Sequence, residues 1–294
     1  MKIIILAGGE GKRMWPIKGD KCLIPFLGSP LLYHNLKKIK DVLDGEFIII
    51  CSPTNKDGVE KVATDLGLKY KIAIQNEPHG MADALLCAGE HLQGEILIIN
   101  AEDVLDTKAY LDVLNIEADA VFTGCRMENY FPGGYLKVQG DKVIGIVEKP
   151  GEGNEPSDLV KLVVDYFKEG KELVEYLESS TSEKDDLYEI ALEKLIKEAD
   201  VKFVEYDGVW IPLKYPWQIL DILEAQLQHI EQQISPKANV SEKAIISGPV
   251  VIEEGARVFE GAVIKGPCYI GKGVIVGNNS MVRESDLEEG CVTG

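Results

Sequence analysis

The sequence lacks most of the signals that would place it on nucleic acid, in a membrane, around a metal cluster or in an oxidising compartment. Its 294 residues hold 31 Lys plus Arg against 49 Asp plus Glu, a formal net charge of -18. A pI near 4.7 leaves no general basic surface for DNA, RNA or anionic lipid. No apolar run approaches the length that spans a bilayer, and the apolar start Ile3 to Ala7 is too short for a signal-peptide core. The six cysteines, at 22, 51, 87, 125, 268 and 291, form no Cys-x-x-Cys and no pairing with histidine of metal-site type. They read as small buried hydrophobes in a reducing cytoplasm.

What is present is concentrated near the N-terminus. Lys2 to Leu6 is an apolar, β-branched run leading to glycines, the pattern of a short buried strand entering a turn. Gly8, Gly9 and Gly11 let main-chain N–H groups approach an anion with no Cβ in the way. Lys12, Arg13, Lys18 and Lys21 crowd the same stretch, so an anionic ligand would meet a positive pocket on an acidic body. A tight turn with a solvated basic face is the plainer alternative.

The chain exceeds one average domain, so two are expected. Ile-rich strands at Phe47–Cys51, Tyr70–Ile74 and Ile96–Ile99 alternate with helices expected over Leu31–Leu43, Val59–Leu66 and Met81–His91. Ser29 is expected as the N-cap of the first helix, with Pro30 at its first position. This alternation predicts βαβ units, a sheet covered on both faces and ligands at the carboxyl ends of the strands. Lys214 to Gln233 predicts an amphipathic helix with Leu220, Leu223, Leu227, Ile230 and Ile234 as its packing stripe.

From Val240 the period becomes six. Val240, Ile246, Ile252, Val258, Ile264, Ile270, Val276 and Val282 are aliphatic, and the residues two earlier, from Ala238 to Ser280, are mostly small. A hexapeptide repeat of this kind specifies a left-handed parallel β-helix, here of two to three coils, with the register failing after Val282. An uncapped solenoid end exposes its core, so the expectation is that the natural chain continues past Gly294 or that a neighbouring subunit covers the end.

Leu6-Ala7-Gly8-Gly9-Glu10-Gly11-Lys12-Arg13-Met14-Trp15-Pro16, with Lys21 and Pro25, resembles the signature of the sugar-1-phosphate nucleotidyltransferases: Leu-x-Gly-Gly-x-Gly-x-Arg, then Lys-x-x-x-Pro. Lys12 stands where that family usually has Thr or Ser. The short span from Arg13 to Lys21 is similar to that of the uridylyltransferases acting on N-acetylglucosamine 1-phosphate. Gln75-Asn76-Glu77-Pro78-His79-Gly80-Met81-Ala82-Asp83-Ala84 resembles the segment that reads a pyrimidine base, and could equally open a helix. Asp103 matches the family's metal-binding aspartate, with Glu102 in place of a glycine; a cap for the following helix is the alternative. Glu148-Lys149-Pro150, with Gly133-Gly134-Tyr135 upstream, matches the sugar-phosphate segment, and a surface ion pair is the alternative. Two segments depart. Lys161-Leu162-Val163 replaces Asn-Ala-Gly, and Pro212 replaces a second metal aspartate.

The resemblance implies an α/β, Rossmann-like, mostly parallel nucleotidyltransferase domain over 1–216, a linker helix over 217–236 and a short left-handed β-helix over 237–294. It implies that a sugar 1-phosphate attacks a nucleoside triphosphate, UTP or dTTP, releasing pyrophosphate and leaving a nucleotide sugar. Leu6, Ala7, Gly8, Gly9, Gly11, Gln75 and Gly80 would bind nucleotide, Arg13 the departing β- and γ-phosphates, and Lys21 the α-phosphate. Gly134, Glu148, Lys149 and Lys161 would bind the sugar phosphate, Asp103 would hold Mg²⁺, and the chain would form a homo-oligomer. The departures at Glu102, Lys161, Val163 and Pro212 keep open a non-catalytic homologue that binds nucleotide and regulates a partner. An acetyltransferase in the β-helix is disfavoured, because few coils are present and no histidine follows His229.

Overall fold

A computed structural model describes residues 1–182, 184 and 186–294. They form two compact units: Met1–Gly11, Asp20–Cys22 and Leu32–Trp210 in the first; Lys12–Gly19, Leu23–Leu31 and Ile211–Gly294 in the second. Among the described residues no helix is long and apolar enough to cross a membrane.

The first unit is organised on one nine-stranded sheet. Its strands are β1 (Lys2–Ala7), β2 (Glu46–Cys51), β3 (Tyr70–Ile74), β4 (Ile96–Asn100), β5 (Ala120–Arg126), β6 (Gly134–Gln139), β7 (Lys142–Glu148), β8 (Leu159–Phe167) and β9 (Val201–Glu205). Their order is β3-β2-β1-β4-β8-β5-β9-β7-β6. β1 lies between two parallel neighbours, Ile3 opposite Phe47 on one side and Leu97 on the other. Ile3, Ile4 and Ile5 are completely buried, which is why the run does not alternate with polar residues. Helices α1 (Leu31–Val42), α2 (Lys56–Asp65) and α3 (Met81–Cys87) make the crossovers between β1, β2, β3 and β4. α3 stops short of His91 because Gly89 takes φ +51°, and Gly89–Leu92 tightens into a 3₁₀ turn. Three more helices follow: α4 (Thr107–Asp112), α5 (Gly170–Glu178) and α6 (Leu187–Glu198).

The sheet is mixed, a correction to the mostly parallel expectation. β8 runs antiparallel to both β4 and β5, and β7 antiparallel to β9 and β6. Between β6 and β7 only Gly140 and Asp141 intervene, with Gly140 at φ +64°. So short a link can join only antiparallel neighbours.

In the second unit Ser29 and Pro30 are not a helix opening. They form the return strand of a hairpin, Pro30 opposite Pro25 and Ser29 opposite Phe26. Leu27 (φ 50°) and Gly28 (φ 78°) make its two-residue turn, and positive φ at both positions matches the twist of flanking strands. The Leu27 amide donates to Asp286 (2.8 Å) and the Gly28 amide to Glu288 (3.0 Å), so the last coil of the repeat region holds the turn.

The repeat region stacks parallel strands as its period requires. Val240 sits on Val258 and Val258 on Val276, each three hexapeptides further on. Both fixed positions of each hexapeptide from Val250 to Val276 face a single core. The hexapeptide register fails just after Val282, as expected, but the stacking of strands continues. Ile270 stacks on Leu287 and Ile275 on Val292, one residue short of the usual spacing, and Glu284 absorbs the deletion at φ +45°. The column Gln233, Val251, Tyr269, Asp286 has four rungs, so the coils number more than the two to three expected.

The helix before the repeats is also shorter than expected. α7 covers Gln218–Leu227, because the Gln218 side chain accepts from the Lys214 and Tyr215 amides (2.7 and 2.8 Å) and holds that stretch in a turn. Ile222 and Leu227 are its buried residues, while Leu220 is 68% exposed and Ile234 belongs to the strand Gln233–Ile234. The expected stripe holds only in part.

Candidate active site

The site residues of the first unit gather where β1, β3, β4 and β7 end. β1 delivers Leu6 and Ala7 to the glycine turn, and two contacts pin its last carbonyls. The buried Asn55 amide donates to Ala7 O (2.8 Å), and the Ala101 amide donates to Leu6 O (3.1 Å). At Gly8 a Cβ would sit 2.8 Å from Gln75 Oε1, and at Gly11 (φ +63°) it would sit 2.8 Å from Lys21 Cγ. These glycines admit neighbours that any side chain would displace.

Gln75 leaves β3 almost completely buried. Its Nε2 donates to Gly80 O (3.0 Å) and to Asp83 Oδ2 (2.8 Å). Both partners are acceptors, which fixes the orientation of the amide and points its oxygen at Gly8. Gly80 opens α3 at φ +91°, so the helix-opening alternative holds whatever else the segment does.

Glu102 and Asp103 follow β4 and are both buried. Asp103 Oδ1 accepts from Asn100 Nδ2 at 3.0 Å, and Asn35 Nδ2 donates to the carbonyls of Ala101 and Asp103 (3.0 and 3.1 Å), holding the turn from behind. Glu102 makes an ion pair with Lys21. Burial pushes its carboxyl up to about 7, against the opposing pull of the lysine. Sequence reading noted Glu102 only as a departure; a partner 81 positions away leaves no local signal.

β7 ends in Glu148 and Lys149, paired at 2.6 Å. Lys149 holds φ +43°, uncommon for a side-chain-bearing residue and found where surrounding structure enforces it. Gly134 faces Glu148 across the β6–β7 pair, where a Cβ would come within 3.3 Å of Glu148 Oε2. The pair borders a cavity of about 220 Å³ lined also by Gly80, Lys184, Tyr188 and Glu189. Gly80 and Lys149, taken from separate motifs, thus share one cavity.

Glu189, near the start of α6, was missed; its helix opening carries no signal distinguishing it from other acidic residues there. Burial, then the Glu148 carboxylate, pushes it up to about 7. The folded protein therefore holds this proton between pH 4.5 and 7 while the unfolded chain has released it, so stability falls as pH rises through that window. Glu189→Gln should remove this dependence. Urea unfolding is expected to show the variant about 1 to 3 kcal/mol more stable than wild type at pH 8 and equal to it at pH 4.

Lys161 is a correction to the expected sugar-phosphate set. Its side chain is 4% exposed and pairs with the fully buried Asp165 at 2.5 Å, with its ammonium 5.3 Å from the ring centroids of both Phe122 and Tyr188. Tyr188 O–H donates to the same carboxylate at 2.8 Å. Charge replacing a neutral amide has been absorbed by a buried partner on the same strand. Arg13 and Pro212 belong to the second unit, where the exposed Arg13 guanidinium lies 6.0 Å from the Tyr215 ring centroid. Of the free cysteines, Cys22, Cys51 and Cys268 are buried as expected, whereas Cys87 and Cys291 are exposed.

The chain is similar to known proteins along most of its length. The chain is similar to the protein named bifunctional protein GlmU in Methanocaldococcus jannaschii, 32% identical over 262 residues that cover 87% of this chain and 61% of the relative. It is 29% identical to a bifunctional sugar-1-phosphate nucleotidylyltransferase/acetyltransferase of Sulfurisphaera tokodaii, covering 87% of this chain and 63% of that protein. The chain thus spans about three fifths of these relatives' lengths. The inositol-1-phosphate CTP transferase of T. maritima shares the fold, with a TM-score of 0.63 at 20% identity over 74% of this chain and 90% of that one. Residues 249–284 match the bacterial transferase hexapeptide family of six repeats. With residues 2–213, from β1 and its glycine turn to the Pro212 segment, matching the nucleotidyl transferase family, the chain belongs to that family.

Proposed function

We propose that the protein joins a nucleoside triphosphate to a sugar 1-phosphate, forming a nucleotide sugar and pyrophosphate. The observation that carries this reading is the meeting, at the strand ends of one unit, of a glycine turn, Lys21, an oriented Gln75, buried Asp103 and the Glu148–Lys149 cavity. A phosphate oxygen of the sugar 1-phosphate attacks the α-phosphorus, a new P–O bond forms, and the bond to the pyrophosphate oxygen breaks. Such chemistry asks a protein mainly to align two polyanions and neutralise their charge. Leu6 and Ala7 lead into the turn from Gly8 to Gly11, which presents backbone N–H groups, Lys21 takes the α-phosphate, and Arg13 takes the leaving phosphates. Lys149 holds the sugar phosphate, with Glu148 and Gly134 toward the sugar. Gln75 offers an acceptor oxygen, which suits the N3–H of uracil or thymine and supports UTP or dTTP.

Asp103 is the proposed Mg²⁺ ligand. Among the described residues no three His, Cys, Asp or Glu side chains cluster as a metal cage. That suits an ion taking most of its ligands from phosphates and water. When bound, Mg²⁺ would neutralise charge on the triphosphate, while Asn100 keeps the Asp103 carboxylate oriented. Calorimetry with UTP and dTTP, followed by turnover across a Mg²⁺ series, tests the reading. Binding with turnover that needs high Mg²⁺ is expected, since Pro212 supplies no second carboxylate. Binding without turnover at any Mg²⁺ would favour the nucleotide-sensing regulator instead.

For the repeat region we propose a left-handed β-helix that serves assembly. Three hexapeptides per coil and small residues at one fixed position support the hand. Ile245 and Met281, 60% and 62% exposed, stand above and below Val263 in one apolar column. A second copy of the chain is the proposed cover. Ile245→Asp combined with Met281→Asp should lower the solution mass measured by light scattering while nucleotide affinity stays within about twofold. Free buried cysteines support a reducing, cytoplasmic setting.

A further inference from the structure

The Glu102–Lys21 pair has a consequence for how the loop admits phosphate. The aliphatic stem of Lys21 runs across Gly11, and its ammonium ends on the Glu102 carboxylate. The other oxygen of that carboxylate lies 3.6 Å from where a Cβ on Gly9 would stand. Both side chains are nearly buried, 13% and 10% exposed. A carboxylate therefore sits against the glycine turn and holds one of its cations, the arrangement a bound phosphate oxygen would adopt.

We propose that Glu102 is a built-in competitor of the nucleotide phosphates, occupying Lys21 beside Gly9 so that an incoming polyanion must displace it. This rests on reading the glycine turn as the phosphate site. The physical basis is simple. Lys21 cannot give its full charge to a carboxylate and to a phosphate at once, and an ionised Glu102 in the same place repels the ligand. Glu102 thereby lowers affinity for triphosphate and for the pyrophosphate product alike, which favours product release and makes Glu102 a positioning residue for Lys21.

The test is metal-free calorimetry with inorganic pyrophosphate on the full chain and on Glu102→Gln and Glu102→Asp, each checked for folding by urea unfolding. Glu102→Gln is expected to bind pyrophosphate about tenfold more tightly than wild type, and the aspartate, drawn back by one methylene, to fall between them. In turnover the glutamine variant should show a KM for nucleoside triphosphate reduced by a similar factor, with kcat not increased. Should Glu102→Gln not fold, the shorter carboxylate carries the same comparison. Equal or weaker pyrophosphate affinity in the folded variants, or a loss confined to Mg²⁺-dependent binding, would overturn the proposal. Failure of all three proteins to bind pyrophosphate would overturn the reading of the loop itself, whereas wild-type binding with no gain in the variants overturns only the role of Glu102.

Discussion

Arg13→Ala is expected to reduce turnover by about 10² to 10³, equivalent to roughly 2 to 4 kcal/mol of lost transition-state stabilisation. In the proposed reaction Arg13 meets charge that grows on the departing pyrophosphate, an interaction strengthened as the bond breaks, so the loss belongs in kcat more than in KM. The fold should not register the change. Arg13 is exposed, and its described aromatic contact, 6.0 Å from the Tyr215 ring centroid, is worth at most about 1 kcal/mol at an exposed site. Single-turnover kinetics and thermal unfolding on the same preparation separate the two effects. Near-wild-type pyrophosphate release would remove Arg13 from the mechanism.

Lys161→Met should act in the opposite sense, on stability and not on substrate. Asp165 is fully buried, one of its oxygens has no hydrogen-bond partner, and the other is shared by Lys161 and Tyr188. Removing the lysine leaves that carboxylate uncompensated, a loss of about 3 to 5 kcal/mol for a buried pair. Burial already raises the Asp165 pKa despite its partner. Without Lys161 the group is held neutral over a wider range, and the destabilisation should deepen from pH 5 to pH 8, as ionisation favours the unfolded chain. Lys161→Met combined with Asp165→Leu should recover most of the stability. The KM for sugar 1-phosphate should stay unchanged in the folded fraction. A raised KM with intact stability would return Lys161 to the sugar-phosphate site.

What was legible in the sequence follows from how local each signal is. β1 to β4 could be read because a strand buried on both faces in a parallel sheet is a continuous aliphatic run. The hexapeptide columns could be read because each residue's neighbour lies at a fixed distance along the chain. Strand direction is not written in a strand's residues, so the antiparallel insertion of β8 between β4 and β5 was missed. Ser-Pro before an aliphatic run reads equally as a cap or a hairpin return; Leu27 and Gly28 decided it through a turn held by Asp286 and Glu288, far along the chain.

The site divides in the same way. Gly8, Gly11, Gln75, Gly80, Glu148 and Lys149 were legible as motifs, each set within a few residues of a strand end. The partners that define their chemistry were not. Glu102 reaches Lys21 from the turn after β4, Asp165 pairs with the buried Lys161, and Glu189 enters the cavity from α6. The first and last of these depend on residues brought together from distant parts of the chain, and the second on burial of a pair only four positions apart; a single sequence records only that the charges exist.

The most direct test of the central claim is to incubate the wild-type chain with Mg²⁺, UTP or dTTP and a panel of sugar 1-phosphates, measuring pyrophosphate and nucleotide sugar together. Equal amounts of the two products, dependent on both substrates and abolished by chelation of Mg²⁺, are expected with at least one sugar. Nucleotide binding with no pyrophosphate released from any combination would contradict the assignment of this site to nucleotidyl transfer.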